Sequence, residues 1–212
     1  MYVPSMFREL DEDLLLQICS QYAFGMVVAV TQEGVPEIAH LPLIAHRQPG
    51  GGIRVHAHVA RANPLAELAA ANQRMTAIFN GPHGYVSPTW YAEPTTQVPT
   101  WNYAVVHAEG HAAIMAPAKL VNLLEDLSSA YEHASPAPWT PAHLAPELLA
   151  GMTSAIVGIE IRVESFVGKF KLSQNRSSVD RKRVASALAE RGLANDVAML
   201  TLITHDGQFE PC

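Results

Sequence analysis

Between Asp11 and Tyr22 the apolar residues Leu14, Leu15, Ile18 and Tyr22 recur at three- and four-residue steps, and Asp11 stands where it can cap the first turn, so this stretch predicts a helix. Phe24–Thr31 is short, apolar and β-branched, Glu33-Gly34 supplies a turn, and Val35–Ala45 returns, which predicts a hairpin. Beyond the glycines 50–52, Ile53–His58 has strand character, Pro64–Asn72 predicts a short helix and Met75–Phe79 a further strand. Tyr103–Met115 reads as a long strand broken near Gly110. Pro117–Tyr131 reads as a helix with Leu120, Leu124, Leu127 and Tyr131 on one face, stopped by Pro136, Pro138 and Pro141. In Ala155–Val163 the apolar Ala155, Val157, Ile159, Ile161 and Val163 alternate with Ile156, Gly158, Glu160 and Arg162, a half-buried strand. Ser177 and Asp180, at capping-box spacing, open a last helix running to about Glu190.

These strands follow one another through hairpin-like links rather than in regular alternation with helices, which disfavours a doubly wound parallel sheet. The fold class is therefore mainly β (α+β): an antiparallel barrel with peripheral helices. The 212 residues suit one domain, 1–212, with an N-terminal helix and a C-terminal helical extension from about 177 to 212. Between Gly81 and Asn102 four prolines (Pro82, Pro88, Pro94, Pro99) and four aromatics (Tyr85, Trp90, Tyr91, Trp101) predict a long loop, the kind that carries function or moves.

A content of 49% hydrophobic and 16% charged residues excludes a disordered chain. The net charge of −6 excludes general coating of nucleic acid, though not a local basic site. The longest apolar run, Phe24–Val30, falls far short of the ~20 residues that cross a bilayer, so no membrane partner is expected. Arg8, Glu9, Asp11, Glu12 and Asp13 occupy the place where a secretory signal would be apolar, so export is not expected. Cys19 and Cys212 form neither a disulfide framework nor a metal-ligand spacing; both read as free thiols in a reducing, cytoplasmic setting.

Ten histidines invite a metal reading. His56 and His58 point to one side of a strand, as a cupin-like site requires, but Ala62 and Asn63 stand where a carboxylate is needed and Glu67 comes too late. His107 and His111 share a strand face with no acidic or cysteine partner nearby in sequence. No metal is expected. No G-x-G-x-x-G follows a strand, no phosphate-binding P-loop is present, and no G-x-S-x-G occurs, which removes the usual nucleotide and hydrolase signals.

Three segments combine hydrogen-bonding groups with conformational punctuation: His58–Pro64, Tyr85–Tyr91 and Val98–Tyr103. Arg61 lies between a strand end and the helix start at Asn63-Pro64, where a guanidinium, a cap and free N–H groups can meet a phosphate, or can simply sit on the surface. Trp90 and Trp101 offer flat surfaces for a heteroaromatic ring whose polar edge Thr100 and Asn102 can bond; packing in a core or interface is the alternative.

These segments, the opening Met1-Tyr2-Val3-Pro4 and the run Lys169-Phe170-Lys171-Leu172-Ser173-Gln174-Asn175-Arg176 together resemble the PaiB-type family of FMN-binding proteins, often labelled negative transcriptional regulators. The resemblance spans nearly the whole chain in order. It implies an FMN-binding split barrel that forms a homodimer, with FMN in clefts at the subunit interface. Carried over by motif, Arg61 pairs with the FMN phosphate, Asn63 orders that turn and His58 lies close by. Ser87 and Trp90 border the flavin, Thr100, Trp101 and Asn102 come from the second subunit, and Lys171 and Gln174 close the cleft near the ring. No catalytic residue is implied. Two functions remain open: a flavin-dependent transcriptional regulator or sensor, and a flavin oxidoreductase of the pyridoxamine-phosphate-oxidase-like type acting on a small molecule.

The last predicted helix carries Arg181-Lys182-Arg183 and is followed by Gly192 and the apolar Val197–Ile203, a faint helix-turn-helix outline. Asp180 and Glu190 dilute its charge, and Val179, Val184 and Leu188 suit a packing helix, so DNA is a weakly supported partner and strong autonomous binding is not expected.

Overall fold

The computed structural model describes residues 1–204, and these form eight strands and six helices. In chain order they are β1 (Arg8–Glu9), α1 (Glu12–Gln21), β2 (Phe24–Val30), β3 (Pro36–Pro42), β4 (Ile44–Arg47), β5 (Ile53–Ala60), α2 (Pro64–Ala70) and β6 (Arg74–Val86). There follow β7 (Thr100–Ile114), α3 (Pro117–Glu132), α4 (Pro146–Ser154), β8 (Ile156–Lys171), α5 (Ser178–Arg191) and α6 (Ala194–Thr204). The chain sorts into two units: unit 1 takes Met1–Tyr22, Phe79–His107 and the segment from Phe166 on, while unit 2 takes Ala23–Ile78 and Ala108–Ser165. The strand order is β3-β2-β6-β7-β8-β5-β4, with β1 paired to β8. The ladders β1–β8, β2–β3, β2–β6, β4–β5 and β5–β8 are all antiparallel, so the class is α+β on antiparallel strands.

In unit 2 the hairpin forms as its pattern predicts, from Phe24↔Pro42 to Val30↔Pro36, turning at Gly34 with φ +82°. Its second arm, however, is two strands. Leu43 is buried and its N–H donates to the Ala23 carbonyl at 2.8 Å, after which β4 leaves β2 and pairs with β5. β7 runs unbroken through Gly110, because a Cβ there would collide with the Arg162 carbonyl; the glycine permits a close approach rather than a break. α3 buries Leu120, Leu123 and Leu127 against Met115, whereas Tyr131 at its far end is exposed. The apolar stripe is therefore one turn shorter than the spacing suggests. α4 has no counterpart in the sequence reading.

In unit 1 Asp11 caps α1 by accepting from the N–H groups of Asp13 (3.0 Å) and Leu14 (3.2 Å), and Leu14, Leu15, Ile18 and Cys19 turn inward. Burial pushes the Cys19 thiol far up, so it is inert. Cys212 lies outside the described residues. The expected loop from Gly81 shrinks to 87–99, since β6 continues to Val86 and single 3₁₀ turns occupy Pro88–Trp90 and Pro94–Thr96. β8 continues past Val163 to Lys171, and α6 follows α5 through Gly192, which sits at φ +63° as a left-handed C-cap. Among the described residues no helix is long and apolar enough to cross a membrane.

Candidate functional site

In unit 2 the turn after β5 is built around Arg61. Its backbone N–H donates to Ala155 O (2.9 Å), its Nε to Ser154 O (2.8 Å) and its Nη2 to Ile156 O (3.1 Å). Ser154 ends α4, and a guanidinium on its carbonyl is favoured by the partial negative charge at a helix C-terminus. These bonds hold Arg61 at the surface with Nη1 left over. Asn63 caps α2, its Oδ1 accepting from Leu65 N at 2.9 Å. His58 lies opposite Gly158, and its Nδ1 is buried with no hydrogen-bond partner; burial lowers its pKa, so the ring is neutral at pH 7.

In unit 1 the aromatic residues gather on neighbouring strands. Trp101 on β7 is 53% exposed and meets two β6 rings, Tyr85 edge-on at 6.1 Å and His83 tilted at 6.3 Å. From β8, Lys171 Nζ donates to Thr100 Oγ1 and to Trp101 O (3.0 Å), and Lys169 Nζ lies 5.6 Å from the rings of both Tyr2 and Tyr103. Arg8 stands directly opposite Lys169 in the β1–β8 ladder, and Arg176 sits over the Tyr91 ring at 4.7 Å. Among the described residues none of these four cations has a carboxylate within 4.0 Å. Like charges placed opposite one another destabilise a ladder, so the cluster favours an anion. Burial, with Lys169 and Arg176 nearby, lowers the Lys171 pKa.

The remaining expected residues support this face. Asn102 and Ser173, both buried, share a hydrogen bond at 2.9 Å, with Ser173 in the left-handed region at φ +65°. The Gln174 amide is spent on the backbone, accepting from Leu172 N (2.6 Å) and donating to Phe170 O (2.5 Å), so it clasps the end of β8. Ser87 caps the first 3₁₀ turn through Thr89 N (3.2 Å), and Trp90 carries the Arg191 guanidinium 5.0 Å above its ring. The ten expected residues thus divide between the units: His58, Arg61 and Asn63 in unit 2, the other seven in unit 1.

The histidines found acids that sequence spacing did not show. His56 Nε2 is 2.9 Å from Glu160 Oε2 across the β5–β8 register, and His111 Nδ1 is 2.7 Å from Glu164 Oε1. Burial works against the Glu160 charge, but the bonds from His56 and Lys119 outweigh it and hold the carboxyl below its ordinary range. Arg74 also reaches Glu164, at 3.0 Å, so this second cluster is an ion-pair network. Among the described residues no three His, Cys, Asp or Glu side chains converge as metal ligands.

The α5 arginines are drawn into packing: Arg183 Nε donates to Trp90 O (2.9 Å), Arg181 to Ile203 O (3.3 Å), and Asp180 accepts from Ala92 N (2.9 Å). That last bond replaces half of the expected capping box: Ser177 Oγ accepts from Asp180 N at 3.1 Å and donates to Asp180 Oδ2 at 3.0 Å, while Oδ1 takes the Ala92 N–H in place of the Ser177 N–H.

Comparison with known proteins agrees with the antiparallel fold. Residues 1–165 match the family described as "Putative FMN-binding domain". The chain belongs to this FMN-binding family. It is 32% identical over 203 residues to the Bacillus subtilis "Protease synthase and sporulation protein PAI 2", covering 96% of each chain. Among solved structures it resembles the flavocytochrome Anf3 from Azotobacter vinelandii (TM-score 0.58, 18% identity, 77% of this chain and 69% of that one). It also resembles a FAD and heme binding protein from Mycobacterium smegmatis (TM-score 0.56, 13% identity, 78% and 73%). These likenesses show the split-barrel fold. FMN is the cofactor that the family membership supports. In unit 1 the exposed rings on β6 and β7 suit a planar heterocycle, and the cations without acid partners suit its phosphate or the electron-rich edge of its ring; in unit 2, taken by itself, the His58 Nδ1 is a buried polar atom without a partner.

Proposed function

We propose that the chain works as a cytoplasmic homodimer with FMN at the subunit interface, serving as a flavin-dependent regulator or sensor of the PaiB type. In this reading Arg61 Nη1 pairs with the FMN phosphate beside His58 and Asn63, while Trp101, Trp90, Ser87 and Thr100 border the flavin. Lys171 faces the polar edge of the ring, and Asn102 and Gln174 position it from behind. The observation that carries the reading is the meeting of Lys171, a cation without an acid partner, with the carbonyl of the exposed Trp101. Bound flavin supplies reversible redox chemistry. The protein supplies a stacking surface, an anion site and a buried amide–hydroxyl pair beneath them. Regulation through direct DNA contact by α5 is disfavoured, since its arginines are bonded within unit 1. The regulatory reading draws on the resemblance to the PaiB-type family, often labelled negative transcriptional regulators.

A flavin oxidoreductase is the second reading, favoured by one observation: the Lys171 ammonium sits on the carbonyl of the exposed Trp101 at 3.0 Å, where it would stabilise negative charge gained by a flavin bound on that ring. Mixing the FMN-loaded protein with NADH or NADPH separates the two. Bleaching of the visible flavin band within seconds supports a reductase, and a stable band with both donors supports the regulator or sensor.

A further inference from the structure

A cavity of about 350 Å³ in unit 1 lies between the β6–β7 rings and the link joining α5 to α6. One wall is His83, Tyr85 and Trp101; the other is Arg191, Leu193 and Asn195. We propose that this cavity binds a neutral, planar aromatic molecule of one or two rings with a hydrogen-bonding edge.

The wall facing the rings is built rather than accidental. Gly84 lies under the helix pair, and a Cβ there would come 2.5 Å from Met199 Cε and 3.1 Å from Asp196 Oδ1, so a larger residue would have to push these side chains aside. Asp196, buried, holds the link by accepting from Leu193 N (3.3 Å), and its own N–H donates to Leu193 O (2.8 Å). Leu193 and Asn195 are therefore presented at fixed positions.

The charge state of the cavity selects the ligand. Each Arg191 nitrogen already donates once, Nε and Nη2 to Asp196 and Nη1 to Tyr85 O at 3.1 Å, and the guanidinium charge is paired with the Asp196 carboxylate. A phosphate or carboxylate would find no spare cation and would lie beside Asp196. An ammonium would find that carboxylate already satisfied. A neutral ligand avoids both costs. The Trp101 and Tyr85 rings meet at 76°, leaving the flat indole face for a stacked ring. Asn195, exposed and without a side-chain hydrogen bond among the described residues, offers both a donor and an acceptor to the ligand's edge. The volume falls at the low end of the ~300–1,000 Å³ of small-molecule sites, which suits a bicycle better than a tricycle with a phosphorylated tail. Trp101 is shared with the flavin reading, while Arg191, Leu193 and Asn195 lie beyond residues 1–165 that match the FMN-binding family.

The test is titration of the FMN-loaded protein with 2-quinolone, a neutral bicyclic lactam, followed by calorimetry and tryptophan fluorescence while the visible flavin spectrum is recorded. Half-saturation below about 1 mM is expected, weakened at least tenfold in Ala194→Phe, which fills the cavity from the link, and about threefold to tenfold in Asn195→Leu, with the flavin spectrum unchanged in both. No binding to the loaded protein, or equal binding by Ala194→Phe, overturns the proposal. Release of FMN by 2-quinolone also overturns it, because the cavity would then belong to the flavin. If the protein takes up no FMN yet binds 2-quinolone with the same loss in Ala194→Phe, the cavity stands and the flavin reading falls.

Discussion

Arg191 grips Asp196 with two nitrogens, Nε at 2.7 Å from Oδ2 and Nη2 at 2.5 Å from Oδ1, across the link between α5 and α6, and the Asp196 side chain is 1% exposed. The Arg191 bond holds the Asp196 carboxyl below its ordinary pKa. Because the folded value is depressed, the stability it contributes is present above the unfolded value of about 4 and is lost as the pH falls through the lower folded value. Asp196→Asn is expected to cost about 3 kcal/mol at pH 7 and to flatten the acid limb of the stability curve, as read by urea unfolding between pH 3 and 7.

Gly110→Ala is expected to destabilise by about 3 kcal/mol or more, since the added Cβ meets the rigid backbone of Arg162 rather than a side chain that can move. Thermal unfolding of the variant checks this. A change under about 1 kcal/mol would mean that β7 and β8 are not so closely spaced there.

That glycine also illustrates what the amino-acid order reveals. Alternation and helical spacing mark α1, the β2–β3 hairpin, β5, α3 and α5 because each has one face in a core, and local period records that. The break expected near Gly110 is absent, since a glycine that admits a neighbouring strand and one that ends a strand look alike in one dimension. The separation of β4 from β3 depends on Leu43 bonding to Ala23, and the acid partners of His56 and His111 come from β8, 104 and 53 positions away. Such contacts leave no local trace. The same holds for the site: Trp101 and Arg61 stand out by residue type, but nothing nearby shows that Gln174 spends its amide on the strand end, or that Arg61 is tied to α4.

Arg61→Ala is expected to weaken FMN binding by about 1.5–3 kcal/mol, with Arg61→Lys intermediate because it keeps charge but loses the fork that holds Ser154 and Ile156. Fluorescence quenching of FMN on titration measures it. Unchanged affinity in the alanine variant would move the phosphate elsewhere.

The depressed Lys171 pKa has a sign in two experiments. Without ligand, the folded state gives up this proton more readily than the unfolded one, so stability rises as the pH climbs through the folded value toward the unfolded value. An anionic ligand reverses that preference, and FMN affinity is expected to fall over the same alkaline range. Lys171→Met should remove both slopes, measured by binding and unfolding from pH 7 to 10.

Sedimentation velocity followed at the visible flavin band tests the dimeric flavin site most directly. The flavin is expected to travel with a species of twice the mass of one chain, at one FMN per chain. Flavin left behind with the free small molecule, or travelling with a single chain, would contradict it.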